Sequence, residues 1–290
     1  MNDSLSLRRL LAGPGMVVAP GAYDGIGARL IEQAGFGALY MTGAGTSAAR
    51  GFPDFGLLTM SEMIENAAVM ARSVRIPLIA DADTGYGNEL NVTRTVREYE
   101  SRGVAAIHIE DQVSPKRCGH LDGKEVVPRE QFVSKIRAAV EARRDRDFMV
   151  IARTDARAVC DLDEAIWRGN AALGAGADMV FVEATQSIEE MAAVPRQVKG
   201  PCLLNVVPGG RTPNLDLREA EKMGYKLAIL PGLMLKAAIE AGDAALAVLK
   251  ETHMAPKVAQ SVAQTFRRFG ADEWDGLRTR FNAGAAMEGC

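Results

Sequence analysis

Leu78-Ile79-Ala80-Asp81-Ala82-Asp83-Thr84-Gly85-Tyr86-Gly87 is a short apolar run that ends in two carboxylates and a glycine turn. A run this short suits a buried strand. An amphipathic stretch follows at 92–102, then a second apolar run at 106–111. The same unit recurs along almost the whole chain. Apolar runs fall at 16–20, 38–43, 78–83, 106–111, 149–155, 179–184, 202–207 and 227–232, and between them lie amphipathic stretches such as 24–34, 61–73, 92–102, 129–142, 163–175 and 217–223. Several of these stretches end in glycine turns, as in Gln33-Ala34-Gly35-Phe36 and Ser101-Arg102-Gly103, the usual stop signal of a helix. Eight strand–helix alternations predict an α/β fold, a (β/α)8 TIM barrel with its helices outside. No linker interrupts the pattern, so residues 1–290 read as a single domain. Two more helical stretches, 235–251 and 255–269, exceed what one barrel helix needs. Residues 235–290 are therefore read as a C-terminal helical extension that caps the barrel or packs on another subunit.

Bulk properties narrow the function. A chain of 290 residues, 48% hydrophobic and of formal net charge −3, can bury one large core and gives no reason to expect a nucleic-acid or membrane partner. Cysteines 118, 160, 202 and 290 form neither a disulfide framework nor a CxxC pair for zinc. The N-terminal residues lack the apolar run of a signal peptide, and each later apolar run is soon broken by Asp, Glu, Arg or Gly. The expected setting is cytoplasmic.

The polar residues that end the runs carry the chemistry. Strand alternation puts Asp81 and Asp83 on one face, and His108 and Glu110 on one face. A helix cap would account for one of the two aspartates and leave the other unexplained. With Glu110 on the next strand, the hard oxygen donors suit Mg2+, which is held by one or two carboxylates and keeps its remaining positions for water and substrate. Arg153, in Ile151-Ala152-Arg153-Thr154-Asp155, can serve as a structural partner of Asp155 or Glu183, as a bidentate clamp for a substrate carboxylate, or as both. Thr42, Gly43 and Asn205 offer hydrogen bonds to a second carboxylate.

Lys116-Arg117-Cys118-Gly119-His120 follows the fourth run in a loop-like stretch. Free cysteine is commonly a small core residue. Here two cations, a glycine and an imidazole surround the thiol, and adjacent positive charge favours the reactive thiolate. Cys160, Cys202 and Cys290 lack such neighbours, and His253 sits in a helical region without partners.

Several stretches, in this order, resemble the isocitrate lyase and phosphoenolpyruvate mutase superfamily: Tyr40-Met41-Thr42-Gly43, Gly51-Phe52-Pro53-Asp54-Phe55-Gly56, the Asp81–Gly87 stretch, His108-Ile109-Glu110-Asp111-Gln112, Pro115-Lys116-Arg117-Cys118-Gly119-His120 and Ala152-Arg153-Thr154-Asp155. The likeness spans about 21–232. Within the superfamily it is similar to the short-chain branch that contains 2-methylisocitrate lyase, 2,3-dimethylmalate lyase, petal-death lyase and carboxyphosphonoenolpyruvate mutase. The resemblance implies a last helix exchanged between subunits, a homotetramer built as a dimer of helix-swapped dimers, and a site that uses Mg2+, with Mn2+ able to replace it. It also implies roles. Asp81 and Asp83 hold the metal, with Asp54 and Glu110 behind them. Thr42, Gly43, Ala44 and Arg153 hold the α-oxo acid part of the substrate, and Asp81 serves there too. Tyr40, His108, Gly119, Glu183 and Asn205 line the rest. Cys118 is the acid–base residue of a gating loop, with Lys116, Arg117, His120 and Glu110 as its catalytic neighbours.

The implied reaction is carbon–carbon cleavage of a 2-hydroxy acid to pyruvate or glyoxylate plus a carboxylic acid. Methylisocitrate and isocitrate lyases usually carry Asn-x-Thr-Glu where this chain has Asn205-Val206-Val207-Pro208, and arginines where Lys236 and Phe269 align. Fewer charged groups imply a substrate less charged than a tricarboxylate, such as a substituted malate. Phosphonopyruvate-type mutase chemistry and oxaloacetate hydrolysis are the rival activities. A catalytically silent scaffold is the rival outside enzymes, and retention of Cys118, Asp83 and Arg153 speaks against it.

Overall fold

All eight apolar runs form strands, and they close on one another. The computed structural model describes residues 4–282; Cys290 and the first three residues of the N-terminal segment lie outside that range. The first half of the chain runs α1 (Ser4–Ala12), β1 (Val17–Ala22), α2 (Gly25–Gln33), β2 (Leu39–Met41), α3 (Gly43–Ala48), α4 (Met60–Ser73), β3 (Leu78–Asp81), α5 (Glu89–Ser101), β4 (Ala106–Glu110) and α6 (Arg129–Ala142). It continues with β5 (Met149–Thr154), α7 (Ala156–Val159), α8 (Leu162–Gly174), β6 (Met179–Val182), α9 (Ile188–Gln197), β7 (Cys202–Asn205), α10 (Leu217–Met223), β8 (Leu227–Leu230), α11 (Leu233–Thr252), α12 (Val262–Arg267) and α13 (Ala271–Asn282). Neighbouring strands pair in parallel in the order β1 to β8, and β8 pairs back onto β1, so the TIM barrel is complete.

Alternation along each strand sorts the core and builds the site together. On β3, Leu78 and Ala80 face outward into the cluster under the helices, whereas Ile79 joins the barrel interior. On β5, Val150 and Ala152 face out while Met149 and Ile151 face in. The interior cluster (Ile79, Met149, Ile151, Phe181, Leu203, Leu227 and Ile229) also takes in Leu7 of α1. Each of its larger members contributes about 1.5–3 kcal/mol by leaving water. The next inward position at the carboxyl end of a strand is polar in strand after strand: Asp81 after Ile79, Arg153 after Ile151, Asn205 after Leu203. The layered filling of a barrel thus hands over to chemistry at its C-terminal mouth.

The chain divides into two compact units, Met1–Ala237 and Ala238–Cys290. Within the second, the helix expected over 255–269 is reduced to the six residues of α12. Pro256 disfavours helix at the residue before it, and Ser261 starts a new helix through a capping box with Gln264. Beyond the two helical stretches read from the sequence lies a further helix, α13, set off from α12 by Gly270 at φ 89°. None of α11, α12 or α13 has a buried residue, and Ile239, Leu246, Val262, Phe266, Trp274 and Phe281 are all exposed. Among the described residues no helix is long and apolar enough to cross a membrane.

Candidate active site

A cavity of about 190 Å³ opens at the barrel mouth, lined from below by Tyr40, Thr42, Ala44, Asp81, Arg153, Phe181, Glu183 and Asn205 and from above by Cys118, Gly119 and His120. Asp54 and a mostly apolar rim of Val207, Pro231, Gly232, Leu235 and Lys236 complete it. Most residues selected from the sequence therefore converge, although they come from separate strands and loops.

The acidic floor differs in detail from the alternation argument. Strand β3 stops at Asp81, and Asp83 has left the strand at φ 45°, a left-handed conformation that costs a non-glycine residue energy. The two carboxylates converge because the chain turns, not because they share a strand face: the Asp83 N–H donates to Asp81 Oδ1 at 3.0 Å. The Gly43 N–H donates to Asp81 Oδ2 at 3.2 Å, and a Cβ at Gly43 would lie 2.4 Å from that oxygen, so only glycine fits there. His108 and Glu110 do share the inner face of β4, both fully buried. His108 Nε2 lies 2.7 Å from the Tyr40 hydroxyl and 3.6 Å from Asp81 Oδ1.

Lys116 reaches down from the loop into this floor. Its ammonium pairs with Asp54 Oδ1 and, at 3.0 Å, with Asp83 Oδ1. Arg153 is one cation among three acids, with Glu110 Oε2 and Asp155 Oδ2 each at 3.0 Å and Glu183 Oε2 at 3.4 Å. The Asn205 amide donates to Glu183 Oε2 at 3.0 Å. The Arg211 N–H donates to His120 Nδ1 at 3.1 Å, which leaves the proton of the neutral ring on Nε2, facing Glu183 Oε1 at 3.3 Å.

Burial and charge set the protonation states. Burial raises the Asp81 carboxyl, but His108, Lys116, Arg153 and the Asp83 N–H outweigh it and bring the group to about 2. His108 is itself lowered to about 4, chiefly by burial. It is therefore neutral near pH 7, where Lys116 and Arg153 keep Asp81 ionised. Burial, with Asp81 and Asp54, pushes Asp83 up to about 6 against the pull of Lys116. Burial holds Glu110 well above the usual carboxylate range despite Arg153.

Cys118 departs from the sequence expectation. Burial is the main cause that raises its thiol, with Asp54 and Glu183 adding to it, while the His120 N–H and Arg153 pull the other way. The flanking cations do not make a thiolate, because Lys116 is committed to Asp54 and Asp83. Arg117 points away: it is exposed, lies 5.4 Å from the Phe55 ring centre and takes no part in the cavity lining. Among the remaining cysteines, Cys160 is exposed and Cys202 buried, and His253 is exposed. Sequence reasoning passed over Phe181, whose ring lies 5.1 Å from the Arg153 guanidinium, and Lys124, whose buried ammonium sits 2.9 Å from Asp155 Oδ1. A lone lysine in a polar loop gives no local signal of burial.

Carboxylates, a forked cation and a thiol assembled at the carboxyl end of a parallel barrel mark an α/β-barrel enzyme. Residues 7–250 match the phosphoenolpyruvate phosphomutase family, and the chain belongs to that family. It is 50% identical over 242 residues to 2,3-dimethylmalate lyase of Eubacterium barkeri, covering 83% of this chain and 84% of the relative. It is 45% identical over 247 residues to 2-methylisocitrate lyase of Aeropyrum pernix, covering 85% and 80%. The crystal structure of a 2,3-dimethylmalate lyase, a PEP mutase/isocitrate lyase superfamily member, superposes with a TM-score of 0.93 at 42% identity and covers 100% of this chain and 99% of the other. Phosphonopyruvate hydrolase in complex with oxalate and Mg++ superposes at 0.87 with 34% identity, covering 97% and 99%. The carbon–carbon lyase reading of the sequence stands on these relatives.

Proposed function

We propose that this enzyme cleaves a substituted malate, a 2-hydroxy dicarboxylic acid, into an α-oxo acid and a smaller carboxylic acid, with Mg2+ as its cofactor. The observation that carries the reading is one cavity with an ionised, buried aspartate on its floor and a protonated thiol in its roof.

The residues present fit a divalent cation. Asp54, Asp81, Asp83, Glu110, Asp155 and Glu183 crowd around three cations, Lys116, Lys124 and Arg153. A substrate dianion entering such a negative site needs added positive charge. Glu110 Oε1 is buried with no hydrogen-bond partner among the described residues. Those residues also contain no group of three or more His, Cys, Asp or Glu side chains spaced to hold a metal directly. Magnesium is commonly held by only one or two carboxylates and otherwise by water and substrate. Asp81 and Asp83 would hold it, with Asp54 and Glu110 behind, and Mn2+ could replace it. When bound, the cation acidifies the substrate hydroxyl and stabilises the oxo-acid oxygens.

The protein's own groups supply the rest. Arg153 presents its guanidinium edge to the oxo-acid carboxylate, and Thr42, Gly43 and Ala44 fix that end of the substrate from the start of α3. Tyr40 and His108 hold Asp81, and Glu183 with Asn205 holds His120. The substrate hydroxyl gives up its proton to a carboxylate of the acidic floor and its oxygen becomes the oxo-acid carbonyl; as the carbon–carbon bond breaks, its electron pair goes to the departing carboxylate-bearing fragment, and Cys118 delivers a proton to that carbon. A thiol kept protonated by burial suits a proton donor better than it suits a nucleophile. Once ionised, its sulfur is met by the His120 N–H and Arg153. The loop from Lys116 to His120 keeps water from the carbanion.

The rim supports the substituted-malate class. Val207, Pro231 and Leu235 offer alkyl contacts, and Lys236 is the one cation among the rim residues, its ammonium donating to the Pro208 carbonyl. Incubation with 2,3-dimethylmalate, 2-methylisocitrate and oxaloacetate tests this directly. The malate should be turned over with a kcat/KM at least about tenfold above that for the tricarboxylate, because a carboxylate left without a partner costs more than 1.4 kcal/mol. Preference for the tricarboxylate, or release of oxalate from oxaloacetate as the main activity, would overturn it.

The proposed setting is the cytoplasm and the proposed assembly a homotetramer. Residues 235–290, of which 283–290 lie outside the described residues, would act as an oligomerisation segment of one barrel domain, packing on a neighbouring copy. The exposed apolar side chains of α11 to α13 support this, since free surfaces seldom carry so many. Light scattering should give about four times the 31.0 kDa chain mass; a monomer at micromolar concentration would refute it.

A further inference from the structure

Lys124 does not line the cavity, yet its side chain is almost wholly buried, 2% exposed. It lies in the loop whose neck is closed by the Gln112–Val126 bridge. That loop holds its own shape: the Gln112 side-chain amide donates to the Arg117 carbonyl and accepts from the Arg117 N–H, both at 2.9 Å. Lys116 on Asp83 and His120 beside Glu183 hold side chains of the loop against the barrel. Lys124 holds its backbone, because its ammonium donates to the Gly119 carbonyl and pairs with Asp155 Oδ1 at 2.9 Å. Asp155 is also the acid that accepts from Arg153 Nε at 3.0 Å, and its own N–H donates to Asp111 Oδ1 at 2.8 Å. Gly119 is pressed against the same group: a Cβ there would lie 2.5 Å from Glu183 Cγ and 2.7 Å from Arg153 Nη2.

We infer that Lys124 is a positioning residue, a latch that ties the backbone beside Cys118 to the carboxylate orienting Arg153, so that roof and clamp take up their working places together. Electrostatics favours a lysine in this position. Asp155 already has Arg153 on one side, and a compact ammonium with three donors can satisfy the second oxygen and a carbonyl at once. The inference rests on the proposed roles of Arg153 and Cys118, and its test separates the two.

The cysteines supply internal reporters. Cys118 reports the roof, exposed Cys160 reports reagent activity, and buried Cys202 in β7 reports loss of fold. Wild type, Lys124→Met and Lys124→Gln, as full chains, are alkylated with iodoacetamide and each thiol is followed by peptide mass spectrometry, with and without Mg2+ and oxalate. In Lys124→Met, Cys118 alkylation relative to Cys160 should rise about tenfold with Cys202 still protected, as for local opening of a loop in an intact fold. The lost cation would by itself slow the reaction by disfavouring thiolate, so acceleration means opening. Turnover should fall by about tenfold or more through kcat, with KM changed by less than about threefold, the pattern of a lost transition-state placement. Lys124→Gln, which keeps a donor for Gly119, should lie between. Unchanged Cys118 reactivity in both variants overturns the latch, and so does Cys118 and Cys202 rising together. If magnesium oxalate fails to protect Cys118 in wild type, the substrate-site reading itself falls, and the latch with it.

Discussion

Cys118→Ser should lower kcat by about three orders of magnitude, close to 4 kcal/mol of transition-state stabilisation, in line with the loss of a positioned general acid. A serine hydroxyl is smaller and far less acidic, so it fills the space without giving up a proton to a carbanion. The variant should still bind oxalate with magnesium, because Arg153, Thr42 and the aspartates are untouched. Its melting temperature should stay within a few degrees, since Cys118 is only partly buried and replacing one small side chain by another there disturbs little packing. Single-turnover mixing with 2,3-dimethylmalate is the informative measurement. Retention of more than about a tenth of the wild-type rate would mean that sulfur is not the donor, since positioned proton transfer is worth about a hundredfold or more.

Removal of divalent cations should have an effect as large. After EDTA and dialysis, turnover should fall by at least about a thousandfold, several kcal/mol of Lewis-acid stabilisation, and return on adding Mg2+ or Mn2+. Asp83 gives the loss a pH dependence of definite sign. Burial, with Asp81 and Asp54, pushes its carboxyl up to about 6, so below that value protons compete with the cation for the same oxygen. Half-saturating Mg2+ should therefore rise as pH falls from 7 to 5, whereas Asp81, at about 2, stays ionised throughout that window. Full activity in chelator would sink the proposed cofactor. A metal requirement that does not change over this pH range would remove Asp83 from its ligands.

Much of the site could be read because burial along a strand is a local property. Ile79 and Asp81, Ile151 and Arg153, and Leu203 and Asn205 are spaced two apart, and a period of two dictates a shared face wherever the strand lies. The argument fails one residue past the strand, at Asp83, where a left-handed turn replaces alternation. It fails again over 255–269, where Pro256 and the Ser261 cap shorten the helix.

The sequence by itself determined the eight strands and most of the helices between them, the polar residue waiting at the end of several inner rows, and the loop that carries the thiol, because these follow from side-chain pattern and turn chemistry within a few neighbours. Only the tertiary structure decided that Lys116 spends its charge on Asp54 and Asp83, that Arg117 turns outward, that Lys124 reaches Asp155, and that the Cys118 thiol is raised rather than lowered. Those outcomes depend on which groups meet across 62 residues of chain (Lys116 to Asp54) or 31 (Lys124 to Asp155) and on how much water is left around them. Charge written beside a residue in sequence acts on it only if the fold leaves that charge unspent and near.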